Sequence, residues 1–323
     1  MTRSAPSGLR LPSLGLGGAQ LGNLDVEITD EEAADVVHAA WDAGLRYFDT
    51  APHYGLGLSE RRLGGALRTF PRREFVVSTK VGRWLEPRDD PGHADSEGFA
   101  VPATHRRRWD FSRDGVLRSI EASLERLGLD RIDLVLIHDP DDHAGEALES
   151  AAPTLSQLRS EGVIGGYGVG MNQAPMLARF VRETDMDVAM VAGRYTLLDH
   201  SASEDLLPVA IERGVGIINA GIFNSGLLSQ PRPAPSDHYD YRPAPDDVLE
   251  RTTRIAGLCE EFGVDLPTAA LAFARRHPAV ASVVVGLRSR THVRELVARW
   301  DRPVPEDLWT ALAERGLVSR IPS

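Results

Sequence analysis

The run Leu134-Val135-Leu136-Ile137-His138 is short, apolar without interruption, and closed by an imidazole. A run with no polar alternation fits a strand buried on both faces, as in a parallel sheet. Seven runs of the same kind accompany it, at 13–17, 45–49, 75–80, 166–170, 188–192, 215–219 and 282–286. Amphipathic stretches that read as helices lie between and beyond them, at 30–43, 59–67, 112–127, 145–160, 172–182, 203–213, 246–262, 267–275 and 290–299. Thr29 followed by Glu32 makes a capping box, Ser112 is a second N-cap, and Gly128 and Gly162 are stop signals. Strand–helix alternation of this kind is α/β. It also builds open doubly wound sheets, but eight strands favour a closed (β/α)8 TIM barrel, here expected as one domain over 1–323.

Composition narrows the function. The chain has 323 residues, 42% of them hydrophobic, enough for a large core. With 36 basic and 47 acidic residues its net charge is −11, against nucleic-acid or anionic-membrane binding. The single cysteine, Cys259, sits on an apolar helical face and reads as a core residue. No apolar run reaches the ~18 residues of a membrane span, and residues 1–10 lack a signal-peptide core, so a cytoplasmic location is expected.

Polar groups recur at one end of the strands. Asp49, Lys80, His138 and Asn219 end the second, third, fourth and seventh, while Asn172 and Tyr195 follow the fifth and sixth. Gly286 and Arg288 close the series. The C-terminal ends of barrel strands are where such folds carry their chemistry. In Asp49-Thr50-Ala51-Pro52-His53-Tyr54-Gly55 a phenol follows a carboxylate on a glycine-containing loop. A tyrosine at pKa ~10 is a poor acid–base group at neutral pH, and a nearby ammonium lowers that value; Lys80 can supply it, held by Asp49. His138 can orient a carbonyl oxygen. These four side chains make a carbonyl-reducing site that needs no metal. Each also has a plain structural reading: an Asp49–Lys80 ion pair in the barrel mouth, a core histidine, a packing tyrosine.

Two stretches, 85–110 and 229–245, are rich in proline, charge and glycine or serine and show no period. Each follows a strand's C-terminal end, so both are expected to cover substrate or cofactor, with Trp84 and Trp109 as candidate substrate walls. Gly15-Leu16-Gly17-Gly18 is only part of a dinucleotide fingerprint. No helix follows at once and the third glycine is misplaced, so it reads as a tight first strand.

With these residues in view, 47–60, Ser78-Thr79-Lys80, 134–138, Gly168-Val169-Gly170-Met171-Asn172 and Gly286-Leu287-Arg288-Ser289 together resemble the aldo-keto reductase family over nearly the whole chain. The segments 113–120, His138-Asp139-Pro140 and 192–199 resemble its aldose 1-dehydrogenase branch, which includes L-fucose dehydrogenases and is similar to pyridoxal 4-dehydrogenase. The resemblance implies a nicotinamide cofactor and assigns Asp49, Tyr54, Lys80 and His138 to catalysis. It implies that Asn172 bonds the nicotinamide carboxamide. It further implies a small-molecule sugar or aldehyde substrate, reacting at an aldose C1 hemiacetal or at another carbonyl. The chain departs from the family at Ala192, where many members carry Gln, and at Ala220, where many carry a stacking Tyr. Around these positions Asn219, Phe223 and Asn224 are the cofactor candidates. Leu296 stands for the usual adenine-side Asn, with Glu295 beside it. Barrels often hold phosphate after the last two strands. Gly286, Arg288 and Ser289, with Arg294 as a second cation, therefore favour NADP slightly and leave NAD open. Two rivals stand: a nicotinamide-binding regulatory subunit, and a barrel lyase or aldolase with Lys80 as Schiff-base amine.

Overall fold

The computed structural model describes residues 8–90 and 94–318. Eight parallel strands close into a barrel in chain order: Leu14–Gly17, Tyr47–Asp49, Val76–Val81, Ile132–His138, Ile164–Met171, Val188–Ala192, Gly216–Ala220 and Val280–Gly286. Each overlaps its expected run. The first strand pairs with both the second and the last, which closes the ring.

The interior is filled. Tyr47, Leu134, Leu136, Val188, Met190, Ile218 and Val284 form one inner cluster, separate from the larger core under the helices. Tyr47 explains the small residues of the first strand. A Cβ on Gly15 would lie 2.6 Å from its ring, and one on Gly18 would lie 2.7 Å from the Asp49 carbonyl, which already accepts from the Gly18 N–H. The glycine run is thus a packing feature of the strand, as expected.

Local signals act as read. Thr29 accepts from the Glu32 N–H at 3.1 Å, and the Glu32 carboxylate accepts from the Thr29 N–H at 2.7 Å, opening the helix Asp30–Asp42. Ser112 accepts from the Gly115 N–H at 3.1 Å and Gly128 ends that helix left-handed. The expected helix 145–160 is instead broken: Ala144–Glu146, a wide turn at Ala147–Ala151, then Ala152–Ser160. Pro153 has no N–H to donate back, so the regular ladder cannot pass it. The helix expected at 172–182 begins at Ala174, leaving Asn172 on the loop. A further helix, Glu306–Glu314, was not expected.

Among the described residues, both irregular stretches contain strand pairing that their composition does not suggest. Arg83–Pro87 pairs antiparallel with His105–Trp109, and His238–Tyr239 with Arg242–Pro243. The first hairpin buries little besides Leu85, so its sequence shows no apolar alternation. Both hairpins stand at the C-terminal mouth of the barrel. Among the described residues no helix is long and apolar enough to cross a membrane.

Candidate active site

The floor of the mouth is a buried ion pair. Lys80 donates to one Asp49 oxygen at 2.7 Å and to the Thr50 carbonyl at 2.9 Å. The other Asp49 oxygen accepts from the Ser78 hydroxyl at 2.6 Å, and Ser78 bonds the Tyr47 hydroxyl at 3.0 Å. Both charged side chains are nearly inaccessible, at 2% and 4% exposure, so the pairing is what makes the charges tolerable. An ammonium has three N–H groups, and two are used. The third is free for Tyr54, whose ring centroid lies 4.8 Å from the Lys80 nitrogen. Burial alone would depress the Lys80 pKa, but Asp49 and Tyr54 overcompensate and hold it above its ordinary value.

Tyr54 and His138 meet edge to face, with ring centroids 5.9 Å apart. Burial pushes the Tyr54 pKa up to about 12, and Lys80 offsets only part of that rise. The direction expected from Lys80 alone is therefore reversed. Burial, with the Arg83 and Lys80 charges, drives the His138 pKa well below the ordinary value, so its ring is neutral. Its Nδ1 is buried with no partner, while Nε2 lies 3.5 Å from an Asp139 oxygen. A buried N–H left unbonded costs more than a buried lone pair, which places the proton on Nε2.

Around the tetrad stands a charged wall that the sequence reading did not identify. Arg83, on the first hairpin, forms an ion pair with Asp139 and donates to His53 Nδ1 at 3.3 Å. Arg107 donates to the His53 carbonyl at 3.0 Å and to both Asp95 oxygens at 2.6 and 3.1 Å. Phe99 lies 5.2 Å from the His53 ring and 6.0 Å from Tyr54. Burial, Arg83, Arg107 and Lys80 push the His53 pKa down to about 2. Unfolded, His53 and His138 take protons near pH 6.5; folded, they stay neutral. The depressed values contribute stability above about pH 6.5 that is lost as pH falls below it. His53→Asn removes one such proton uptake. Its thermal midpoint is expected to fall less steeply than that of the wild type between about pH 6.5 and 4. Parallel curves would contradict the assignment.

The remaining candidates divide. Asn172 bonds the Ala192 carbonyl through Nδ2 at 3.0 Å and stands at the mouth. Asn219 does not face it: in Gly216–Ala220 the inner cluster takes Ile218 and Ala220, and alternation turns Asn219 outward. There its amide donates to the Tyr195 and Ala274 carbonyls at 2.9 and 3.0 Å. Tyr195 packs in the core 5.1 Å from Phe273, and Phe223 also packs against that core. Asn224 is buried, donates to the Gly193 carbonyl at 3.3 Å, and keeps its Oδ1 unpartnered. Trp84 meets Arg118 on the hairpin face opposite Arg83, away from the tetrad. Trp109 is 47% exposed, but its ring is already contacted by Arg83, 4.5 Å away, and Phe111, 5.8 Å away. It buttresses Arg83 more than it offers a free face.

At the last strand a Cβ on Gly286 would collide with the Gln20 amide, whose Oε1 is buried and unpartnered. Ser289 caps the next helix, Arg290–Trp300, by accepting from the His292 N–H. Arg288 donates to the Leu24 carbonyl at 3.1 Å and keeps Nε unpartnered. A cradle without a Cβ, unpartnered polar atoms and a capped helix start fit a dinucleotide phosphate. Arg290 is taken up by Asp35, which with Glu31, Glu32, Arg288 and Ser289 lines a recess. Arg294 is exposed, and Glu295 is bonded to Arg299 at 3.0 Å.

Known proteins resemble this chain in sequence and in fold. Residues 13–315 match the model of the aldo/keto reductase family. The chain is 48% identical to a D-threo-aldose 1-dehydrogenase from a Pseudomonas species, over 98% of this chain and 97% of that one. It is 38% identical to a pyridoxal 4-dehydrogenase from Microbacterium luteolum, over 97% and 96%. The holo form of an aldo-keto reductase from Bacillus halodurans superposes with a TM-score of 0.73 at 26% identity, covering 95% of this chain and 92% of that one. The chain belongs to the aldo/keto reductase family and is an NAD(P)-dependent oxidoreductase.

Proposed function

We propose that the protein oxidises the C1 hemiacetal of an aldose of the D-threo or L-fucose type to a lactone, with Tyr54 as acid–base group. The observation that carries this is the convergence of Tyr54, Lys80, Asp49 and His138 at one barrel mouth. The name of the relative at 48% identity supports the substrate class. The bound nicotinamide would accept hydride from C1, or return it to a carbonyl carbon.

The chain's own residues handle the proton. The Nε2–H of neutral His138 donates to the C1 oxygen and fixes its place. Tyr54 receives the hydroxyl proton in oxidation and returns one in reduction. With its pKa near 12, Tyr54 is a phenol at neutral pH and no preformed base. In oxidation the phenol must therefore first lose its own proton to solvent, and the phenolate, stabilised by the third Lys80 N–H, then takes the C1 hydroxyl proton as hydride leaves; in reduction the phenol gives its proton directly. Lys80 is unsuited to Schiff-base chemistry, which needs a neutral amine, because Asp49 holds it charged. A second reading, oxidation of pyridoxal, is favoured by the relative of that name.

The test is turnover with NAD⁺ or NADP⁺ on L-fucose, D-arabinose, L-galactose and pyridoxal. Reduction of the dinucleotide with an aldose supports the first reading and with pyridoxal alone the second; none with any pair overturns both. For the cofactor, Arg288 is a cation in the recess that would take a 2′-phosphate, but it shares that recess with Glu31 and Asp35 and lies 3.9 Å from Asp25, a balance that admits NAD beside a slight preference for NADP. Arg288→Ala is expected to raise the Kd for NADPH about tenfold and that for NADH much less, read by fluorescence titration. Equal changes would remove Arg288 from phosphate binding.

A further inference from the structure

The second hairpin turns on Asp240 and Tyr241, both at positive φ, 49° and 62°. Two consecutive left-handed residues make the tight turn joining His238–Tyr239 to Arg242–Pro243. The second of these positions ordinarily belongs to glycine, and a bulky side chain there is strained. Tyr241 is also 74% exposed, more than any other large hydrophobic residue described. Its ring is therefore largely open to solvent, and its side chain works against the turn that carries it. Strain of this kind is concentrated at functional sites.

The turn is fixed in place. Arg194 donates to Asp240 at 2.8 Å, and the Tyr241 N–H donates to the Ser225 hydroxyl at 2.9 Å. Tyr241 consequently stands beside Asn172 and within the field of the Asp139 carboxylate. Asp139, also at positive φ, is held by Arg83 and keeps 27% of its side chain exposed. The mouth thus has an open aromatic ring on one hairpin and an anchored carboxylate next to His138.

We propose that Tyr241 is a substrate-binding residue whose ring covers the C–H face of a sugar ring while Asp139 accepts from one of its hydroxyls. This rests on the aldose reading above. A pyranose ring has an apolar face and a hydroxyl edge, and a tyrosine supplies a flat surface with little rotamer freedom to lose. A few placed polar groups then set the orientation.

The experiment compares the wild type with Tyr241→Gly and Tyr241→Phe. KM for the aldose, KM for a short unbranched aldehyde in the reductive direction, and the thermal midpoint are measured for each. Tyr241→Gly is expected to raise KM for the aldose about 3–10-fold, with a smaller change for the aldehyde. Its thermal midpoint should not fall, since glycine relieves the turn. Tyr241→Phe, which keeps the ring, should raise the aldose KM less than Tyr241→Gly does. An unchanged aldose KM in Tyr241→Gly overturns the inference, as does a loss in both variants accompanied by a lower midpoint, which marks a structural role. A wild type active on the aldehyde but on no aldose overturns the aldose reading and this inference together. An aldose-active wild type confines any failure to Tyr241.

Discussion

Tyr54→Phe is expected to lose about 10²–10⁴ of turnover while still binding the reduced dinucleotide. The substitution removes one oxygen and leaves the ring against His138 and Phe99. Only the proton transfer is lost, so the fall belongs in kcat. Because burial holds Tyr54 near pKa 12, wild-type oxidation should speed up as pH rises above neutrality, and reduction should not. A Tyr54→Phe enzyme within a few-fold of the wild type would assign the proton to another group. The neutral His53 at the same mouth would be the next to examine.

Lys80→Met should be the most damaging single change to both activity and stability. It leaves the Asp49 carboxylate buried with Ser78 as its remaining side-chain partner. Breaking a buried pair from one side costs about 3–5 kcal/mol, a fall of roughly 5–15 °C in thermal midpoint. Replacing both partners by apolar residues, Lys80→Met with Asp49→Leu, should recover much of that stability, since no charge is left unpaired. It should recover no turnover, because the donor to Tyr54 is still missing. The combination separates the structural part of the pair from its chemical part. A Lys80→Met protein as stable as the wild type would mean that water reaches Asp49 and that the floor of the site is open.

The tetrad was legible in the sequence because each member stands at or just past a strand's C-terminal end, and the strands are recognisable as apolar runs. Its surroundings were harder to read. Arg83, Phe99 and Tyr241 arrive on excursions whose composition is polar and without period, and pairing across those hairpins depends on contacts between distant residues. Asp139 adjoins His138 in the chain, yet only the fold brings Arg83 to it. Asn219 was misplaced for a different reason. A polar residue at a strand end faces the mouth or the helices according to alternation, and the inner cluster takes Ile218. The direction of the Tyr54 shift was misjudged because a neighbouring charge can be read from sequence, whereas burial cannot. Glu306–Glu314 follows the last strand–helix unit, where the repeating pattern had ended.

The most direct measurement is the fate of deuterium from L-fucose labelled at C1. The labelled sugar is incubated with the protein and NAD⁺ or NADP⁺, and the reduced dinucleotide is analysed by mass spectrometry. Hydride transfer from C1 places one deuterium on the nicotinamide ring, and the sugar leaves as the unlabelled lactone. Reduced dinucleotide without deuterium would mean that another carbon is oxidised, and its complete absence, with the sugar recovered unchanged, would contradict the aldose oxidation proposed for this site.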